Sequence, residues 1–526
     1  MTKQACIIQH LTLELDHQKI FSGLNFQLPA SKITALTGRN GQGKSLLIEL
    51  LSNNPSFSNS YTGHINWQVQ YAKLSQLHRI QAKTIAEALE IDIYTTAFQR
   101  IENASAHFND YDIVDGKWHL LQEWRQILAN ADLPISFDYS IDHLSEGQKT
   151  KLALCRLFLL KDHYLLLDEP SNHLDQNSRK WLLTCLQQHT AGALIVSHDL
   201  DLLESVDCIF ELNQLGLQQY SGHYSDFSVQ KTLQINSFEK QHEFNKSELK
   251  RIQLKQHATR MKAEKRQHSG KKLRDGSQHK MFLDMKMNSA QKTLNHVKKQ
   301  QTKQSEELHV SIEENKSKLE IIKPQMFEFA SSSIKKGEIL RLKQIQLIYG
   351  SSTPISFSLH AGQKIHLNAA NGTGKSTLLK TIQQDLTFKG GEIFKNVQSI
   401  YLNQQFYLND HASQLNVLSY LNEFNPDIKE VSWRNLLGQL RIRNDKVFQT
   451  LEQLSGGERL KVTLLGMSQS KLPFELLLLD EPDNHLDIES KQLLASAIKN
   501  YQGAIILVSH DQAFVDLCEI QDQFTL

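Results

Sequence analysis

Short apolar runs, each closed by polar or glycine-rich punctuation, recur in one order in both halves of this chain. The run KITALT (32–37) leads into GRNGQGKS (38–45) and then LLIELL (46–51). Later come LLLDEP (165–170) and IVSHD (195–199). The second half repeats the order with LNAANGTGKSTLL (367–379), LLLDEP (477–482) and LVSHD (507–511). Runs this short and this apolar predict strands buried on both faces of a parallel sheet, with helices between them. Asp168 lies 30 residues before His198, and Asp480 lies 30 before His510. With the loops LSEGQ (144–148) and LSGGE (454–458) that precede each LLLDEP, four motifs in matched order predict a duplicated α/β domain.

Between the copies the pattern changes. Leu308, Ile312, Asn315, Leu319 and Ile322 alternate steps of four and three, a coiled-coil seam with one polar position. An earlier arm around Leu249, Ile252, Ala258 and Met261 is helix-compatible but less regular, and Gly270 and Gly276 interrupt the pattern. This predicts two antiparallel helices with a tip near residues 268–287. The expected division is a first copy of the α/β domain over 1–235, a helical hairpin linker over 236–335, and a second copy over 336–526.

Charge sharpens that division. Residues 236–323 hold 21 Lys/Arg against 11 Asp/Glu, a net of +10 in a chain whose total is +1. A solvated spacer is the plainer reading of a charge run. The sign asymmetry, and Met281, Phe282 and Leu283 at the tip, favour nucleic-acid contact through Lys271, Lys272, Arg274, Lys280 and Lys286. Five scattered cysteines with no CxxC pair argue against a disulfide framework or a zinc site. No basic-then-apolar leader opens the sequence, and no apolar stretch is long enough to span a bilayer, so the expected location is cytoplasmic.

GRNGQGKS fits the G-x-x-x-x-G-K-[ST] phosphate loop, in the strand–loop–helix context such a loop needs. Gly38, Arg39, Asn40, Gly41, Gln42 and Gly43 would wrap phosphates with backbone N–H groups, Lys44 would reach the β- and γ-phosphates, and Ser45 would hold Mg²⁺. The second loop, Ala369, Ala370, Asn371, Gly372, Thr373, Gly374, Lys375, Ser376 and Thr377, should do the same, with Ser376 on the metal. Ala369 replaces the first glycine, which is acceptable only if its φ is negative. Asp168 and Asp480 suit the Mg²⁺ shell, and Glu169 and Glu481 would polarise the attacking water. His198 and His510 would sense the γ-phosphate. Gln76 and Gln404 follow short strands and would meet Mg²⁺ and the water, with Gln405 an equal competitor for Gln404. Tyr349, 26 residues before Lys375, suits adenine stacking, whereas the first half offers only His17 nearby.

Together with LSEGQ (144–148) and LSGGE (454–458), these motifs resemble the nucleotide-binding cassette of ABC ATPases. Two cassettes, no membrane span, a basic helical linker and YSGHYSDF (220–227) resemble the ABC-F family of ribosome-associated ATPases. The resemblance covers nearly the whole chain. It implies two P-loop ABC-type domains joined by an antiparallel coiled-coil linker. The cassettes would face head to tail within a monomer, hydrolysing ATP with Mg²⁺. Ser455, Gly456, Gly457 and Glu458 would then complete the Lys44 site, while Ser145, Gly147 and Gln148 would complete the Lys375 site. It also implies a ribosome partner, with the linker tip reaching rRNA and tRNA near the peptidyl-transferase region, no membrane, and a role in translation regulation or ribosome protection. An ATPase subunit of a transporter with separate membrane subunits has no need of the basic linker. A DNA-acting ABC ATPase would carry long coils inside a cassette. Glu146, where glycine is usual, and Ala369 both fall on the Lys375 site, which should therefore be the slower one.

Overall fold

The computed structural model describes residues 3–15, 18–57, 60–74, 82–172, 174–274, 280–323, 325, 327, 337–351, 353–369, 372–403, 405–407, 410–472, 474–484 and 486–526. Residues 1–225 and 324–526 form one body, and 226–323 form another.

In the first body the duplication is visible strand by strand. The first cassette has a six-stranded sheet in the order Tyr71–Lys73, Tyr164–Asp168, Ala193–Val196, Ile33–Thr37, Cys208–Asn213, Gly216–Ser221. Its pairings are parallel except the last, which is antiparallel. The second cassette repeats the order with Ser399–Leu402, Leu476–Asp480, Ala504–Val508, Lys364–Asn368 and Asp522–Thr525, all parallel. The register repeats as well, since Asp168 pairs with Val196 and Asp480 with Val508. Each cassette adds a three-stranded antiparallel sheet.

The expected buried strands are found. Leu165, Leu166 and Leu167, and their counterparts Leu477, Leu478 and Leu479, lie in the core. Burial on both faces removes the need for alternation, hence the unbroken leucine runs. Each run delivers its carboxylate to the C-terminal edge of the sheet, where parallel α/β folds place their ligands. A helical layer completes each cassette. Phe98, Trp124 and Leu128 pack there against Leu152 and Cys155 of the signature helix Glu146–Phe158. The five cysteines are all free thiols.

The second body is a helical hairpin of Tyr224–Arg274 and Lys280–Ile322. Asn245 Nδ2 donates to Ser311 Oγ at 2.9 Å, and Lys323 Nζ reaches Glu239 Oε1 at 2.6 Å, as antiparallel arms require. Lys318 lies 6.0 Å over the Phe238 ring. Asn315 is buried at its seam position, as Asn245 is on the facing arm.

Three expectations need correction. The first arm begins at Tyr224, ahead of residue 236, because its opening turns are not basic and charge does not mark them. Its seam runs through half-buried Leu249 and Ile252 but then through Gln256 and Thr259, leaving Ala258 and Met261 exposed. Gly270 does not interrupt the helix, which continues to Arg274. One glycine costs a helix only about 1 kcal/mol.

Two candidate nucleotide sites

Each phosphate loop closes onto a helix through a left-handed glycine. Gly43 (φ 88°) precedes Lys44–Leu51, and Gly374 (φ 102°) precedes Lys375–Gln383. The loop lysines turn back on their own loops. Lys44 Nζ donates to the Gly38 carbonyl at 2.7 Å and the Arg39 carbonyl at 3.0 Å, and Lys375 Nζ donates to the Ala369 carbonyl at 3.1 Å. Burial lowers both ammonium pKa values, while Glu169 acts in the opposite sense on Lys44 and Glu481 on Lys375.

The loops differ at their first position. Gly38 has φ 147°, and a Cβ there would lie 2.2 Å from the Leu212 carbonyl oxygen. Ala369 does not adopt a positive φ. We therefore expect Gly38→Ala to lower stability by about 1–3 kcal/mol through overpacking against backbone, and Ala369→Gly to cost under about 1 kcal/mol. Denaturant midpoints of the two variants check this, and equal shifts would contradict it.

Glu169 and Glu481 both stand at φ 48°, a conformation that non-glycine residues hold at a cost and that gathers at functional sites. Their N–H groups donate to the carbonyls of Val196 and Val508, the strand ends next door, at 2.8 and 2.9 Å. His198 Nε2 lies 3.5 Å from Glu169 Oε1. Burial holds that histidine neutral, so the contact is not an ion pair. Burial also pushes the Glu169 carboxyl up to about 7, against the pull of Lys44. Glu481 is held low instead, chiefly by its hydrogen bond to His510, with Nε2 3.3 Å from Oε1. His510 Nε2 also meets Lys375 Nζ at 2.6 Å.

The carboxylates before them suit a cation. Ser45 hydrogen-bonds Asp168, whose Oδ1 is buried without a partner among the described residues. Asp480 Oδ2 accepts from Tyr401 Oη at 2.8 Å. One carboxylate plus one hydroxyl, with the remaining positions left to water and phosphate, is a Mg²⁺ donor set.

The two cassettes meet across these sites. Ser145, Glu146, Gly147 and Gln148 of the first signature loop line a cavity of about 590 Å³ with Glu481, Asn484 and His510 of the second cassette. At the Lys44 site, Asp487 Oδ2 accepts from the Asn40 N–H at 2.8 Å, and Glu489 takes the Arg39 guanidinium in a two-pronged grip. A Cβ on Gly457 would strike Ser490 Oγ, which places the second signature loop against this same turn. Ser145 and Ser455 cap their helices by accepting from the N–H groups of Gln148 and Glu458, both at 3.3 Å. Lys149 pairs with Glu146 at 3.0 Å. Tyr349 is exposed, and its carbonyl lies against Gly374 of the loop.

Some expectations fall elsewhere. Gln76, Gln404, Ala370, Asn371 and His17 lie outside the described residues, as do the side chains of Lys271, Lys272, Arg274, Lys280 and Lys286. Sequence reasoning missed Asp487, Glu489 and the buried Lys151 that lines the cavity. Lys151 sits three residues past Gln148, a spacing repeated by Lys461 after Glu458, which was the available signal.

Comparison with known proteins agrees with the duplication. The ABC transporter family description matches residues 21–172 and again 352–484. A putative ATP-binding protein of Bacillus subtilis, YdiF, is 28% identical over 97% of this chain and 78% of its own length. The ribosome protection protein VmlR of the same species is 24% identical over 98% of this chain and 85% of its own. In fold, the chain is similar to an archaeal ribosome recycling factor solved with a ribosomal stalk protein (TM-score 0.56, 16% identity, 99% of this chain and 87% of that one). Among the described residues, no helix is long and apolar enough to cross a membrane. The chain belongs to the ABC transporter family, as an ATPase with two cassettes in tandem.

Proposed function

We propose that this ATPase acts on the ribosome, using ATP to close its cassettes while the linker tip reaches rRNA and tRNA near the peptidyl-transferase region, so that it regulates translation or protects the ribosome. The observation that carries the reading is the +10 hairpin set between two cassettes that together carry the compensating negative charge. A basic hairpin of this kind is the electrostatic footprint of a nucleic-acid partner. The naming of a relative as a ribosome protection protein supports the same partner.

In this reading the chain works as a monomer. Lys44 and Lys375 bind the phosphates, and the signature loop of the opposite cassette covers each nucleotide. Glu169 and Glu481 orient and polarise the attacking water, with His198 and His510 beside them. Ser45 with Asp168, and Ser376 with Asp480, hold Mg²⁺, which neutralises phosphate charge when bound. Hydrolysis reopens the sandwich and releases the factor. Sedimentation of ribosomes with ATP and the Glu169→Gln, Glu481→Gln variant tests this. Co-migration that depends on ATP is expected, and none would refute the reading.

The two sites are unequal. Glu146 brings a negative charge to the cavity it lines with Glu481 and His510, where the usual glycine would bring none. Glu481→Gln alone should therefore lower turnover less than Glu169→Gln alone. Steady-state rates of the two purified variants decide this, and equal rates or the reverse order would contradict it.

A further inference from the structure

A buried cation lies where the two sites approach each other. Lys491 is 7% exposed, and its Nζ donates to Asp511 Oδ2 at 2.7 Å. Asp511 follows His510, which touches both Glu481 and Lys375. One turn before Lys491 on the helix Ile488–Asn500, Asp487 caps the helix by accepting from the Ser490 N–H at 2.8 Å. Its other oxygen accepts from the Asn40 N–H in the phosphate loop of the opposite cassette. The first turn of one helix is thus fastened at one end to the Lys44 site and at the other to the histidine of the Lys375 site. The matching pair in the first cassette, Arg179 with Asp199, is longer at 3.3 Å, and its cation is more exposed.

We propose that Lys491 is a positioning residue: through Asp511 it sets His510 against Glu481, and through its helix it ties that alignment to the phosphate loop of the other site. Burial opposes the charge on Lys491, but Asp511 and Asp483 more than offset it, so the grip is ionic. Asp511 Oδ1 accepts from the Phe514 N–H at 3.0 Å while Oδ2 takes the lysine, leaving the carboxylate little room to turn. A charge-assisted bond at both ends of a short, rigid segment transmits position without moving the backbone far.

The inference rests on the assignment of Glu481 as the group that activates water. Lys491→Gln alone would strand a buried carboxylate and endanger folding. The test therefore uses Lys491→Gln with Asp511→Asn, which removes both charges, and Lys491→Arg, which keeps the cation. In full-length protein carrying Glu169→Gln, where residual turnover belongs to the Lys375 site, the paired variant should lower kcat at least about tenfold, with KM within about twofold. Lys491→Arg should retain most of the rate. In the Glu481→Gln protein the same pair should lower turnover of the Lys44 site by a smaller factor, because Lys491 acts on Glu169 and His198 by charge alone. Unchanged kcat in the Glu169→Gln protein, equal losses in both proteins, or a loss carried by KM would overturn the inference while leaving the role of Glu481 intact. If Glu481→Gln itself left the turnover of its own site unaltered, the assignment beneath the inference would fall and take it along.

Discussion

Replacing Glu169 and Glu481 together by glutamine is expected to abolish multiple-turnover hydrolysis while preserving ATP binding. Neither carboxylate anchors the phosphate loop, whose lysines bond to loop carbonyls. Glutamine keeps the length of the side chain and can hold the same left-handed backbone at φ 48° about as well as glutamate. What it cannot do is accept a proton from water or orient it as a base. Loss of general-base assistance lowers kcat by about two to four orders of magnitude. Asn484 Nδ2 donates to Glu481 Oε2 at 2.8 Å, and a glutamine oxygen can keep that bond, so the loss should be chemical and not structural. The variant should remain closed on ATP and stay on ribosomes. Phosphate release from the purified protein measures it, and turnover within about threefold of wild type would remove both residues from the chemistry.

The second large effect is expected at the hairpin tip. Lys271, Lys272 and Arg274 end one helix, while Lys280 and Lys286 begin the other, so five cations belong to two helix ends joined by a short connection. Each phosphate contact releases bound counterions, so each lost cation should reduce the salt dependence of RNA affinity by roughly one unit of log–log slope. Over a fourfold rise in salt, five such contacts correspond to about two to three orders of magnitude in affinity. The five-fold glutamine variant should lose most of that dependence and still bind nucleotide, because none of the five belongs to a cassette motif. Ribosome binding titrated against salt measures it. An unchanged slope together with full complementation of a deletion strain would reduce the hairpin to a spacer.

The sequence announced the parts of each site that are local. A glycine loop followed by Lys44 or Lys375, and a leucine run ending in Asp168–Glu169 or Asp480–Glu481, carry their chemistry within a few residues, and the parallel sheet follows from the same runs. The partnership of Arg39 with Glu489 was not legible in this way. Those residues are 450 apart and meet only when the two copies face each other. Nothing local distinguishes Glu489 from any acidic residue in the first turn of a helix. The linker was half legible for a similar reason. Its second arm has an aliphatic seam, but the first arm places half-buried Gln256 and Thr259 along its seam, and a polar seam carries no periodic signal.

The pairing of Asn245 with Ser311 makes the hairpin a ruler. At about 1.5 Å of rise and 100° of rotation per residue, a single deletion in one arm would carry every later seam position off the facing helix. A buried asparagine that has lost its partner then penalises the slipped register more than an aliphatic pair would. Changes in reach are therefore available only as matched insertions in both arms, in steps that restore the three-and-four spacing. The distance to which such a protein extends its basic end is in effect quantised, and relatives that differ in reach should differ by whole turns added in pairs.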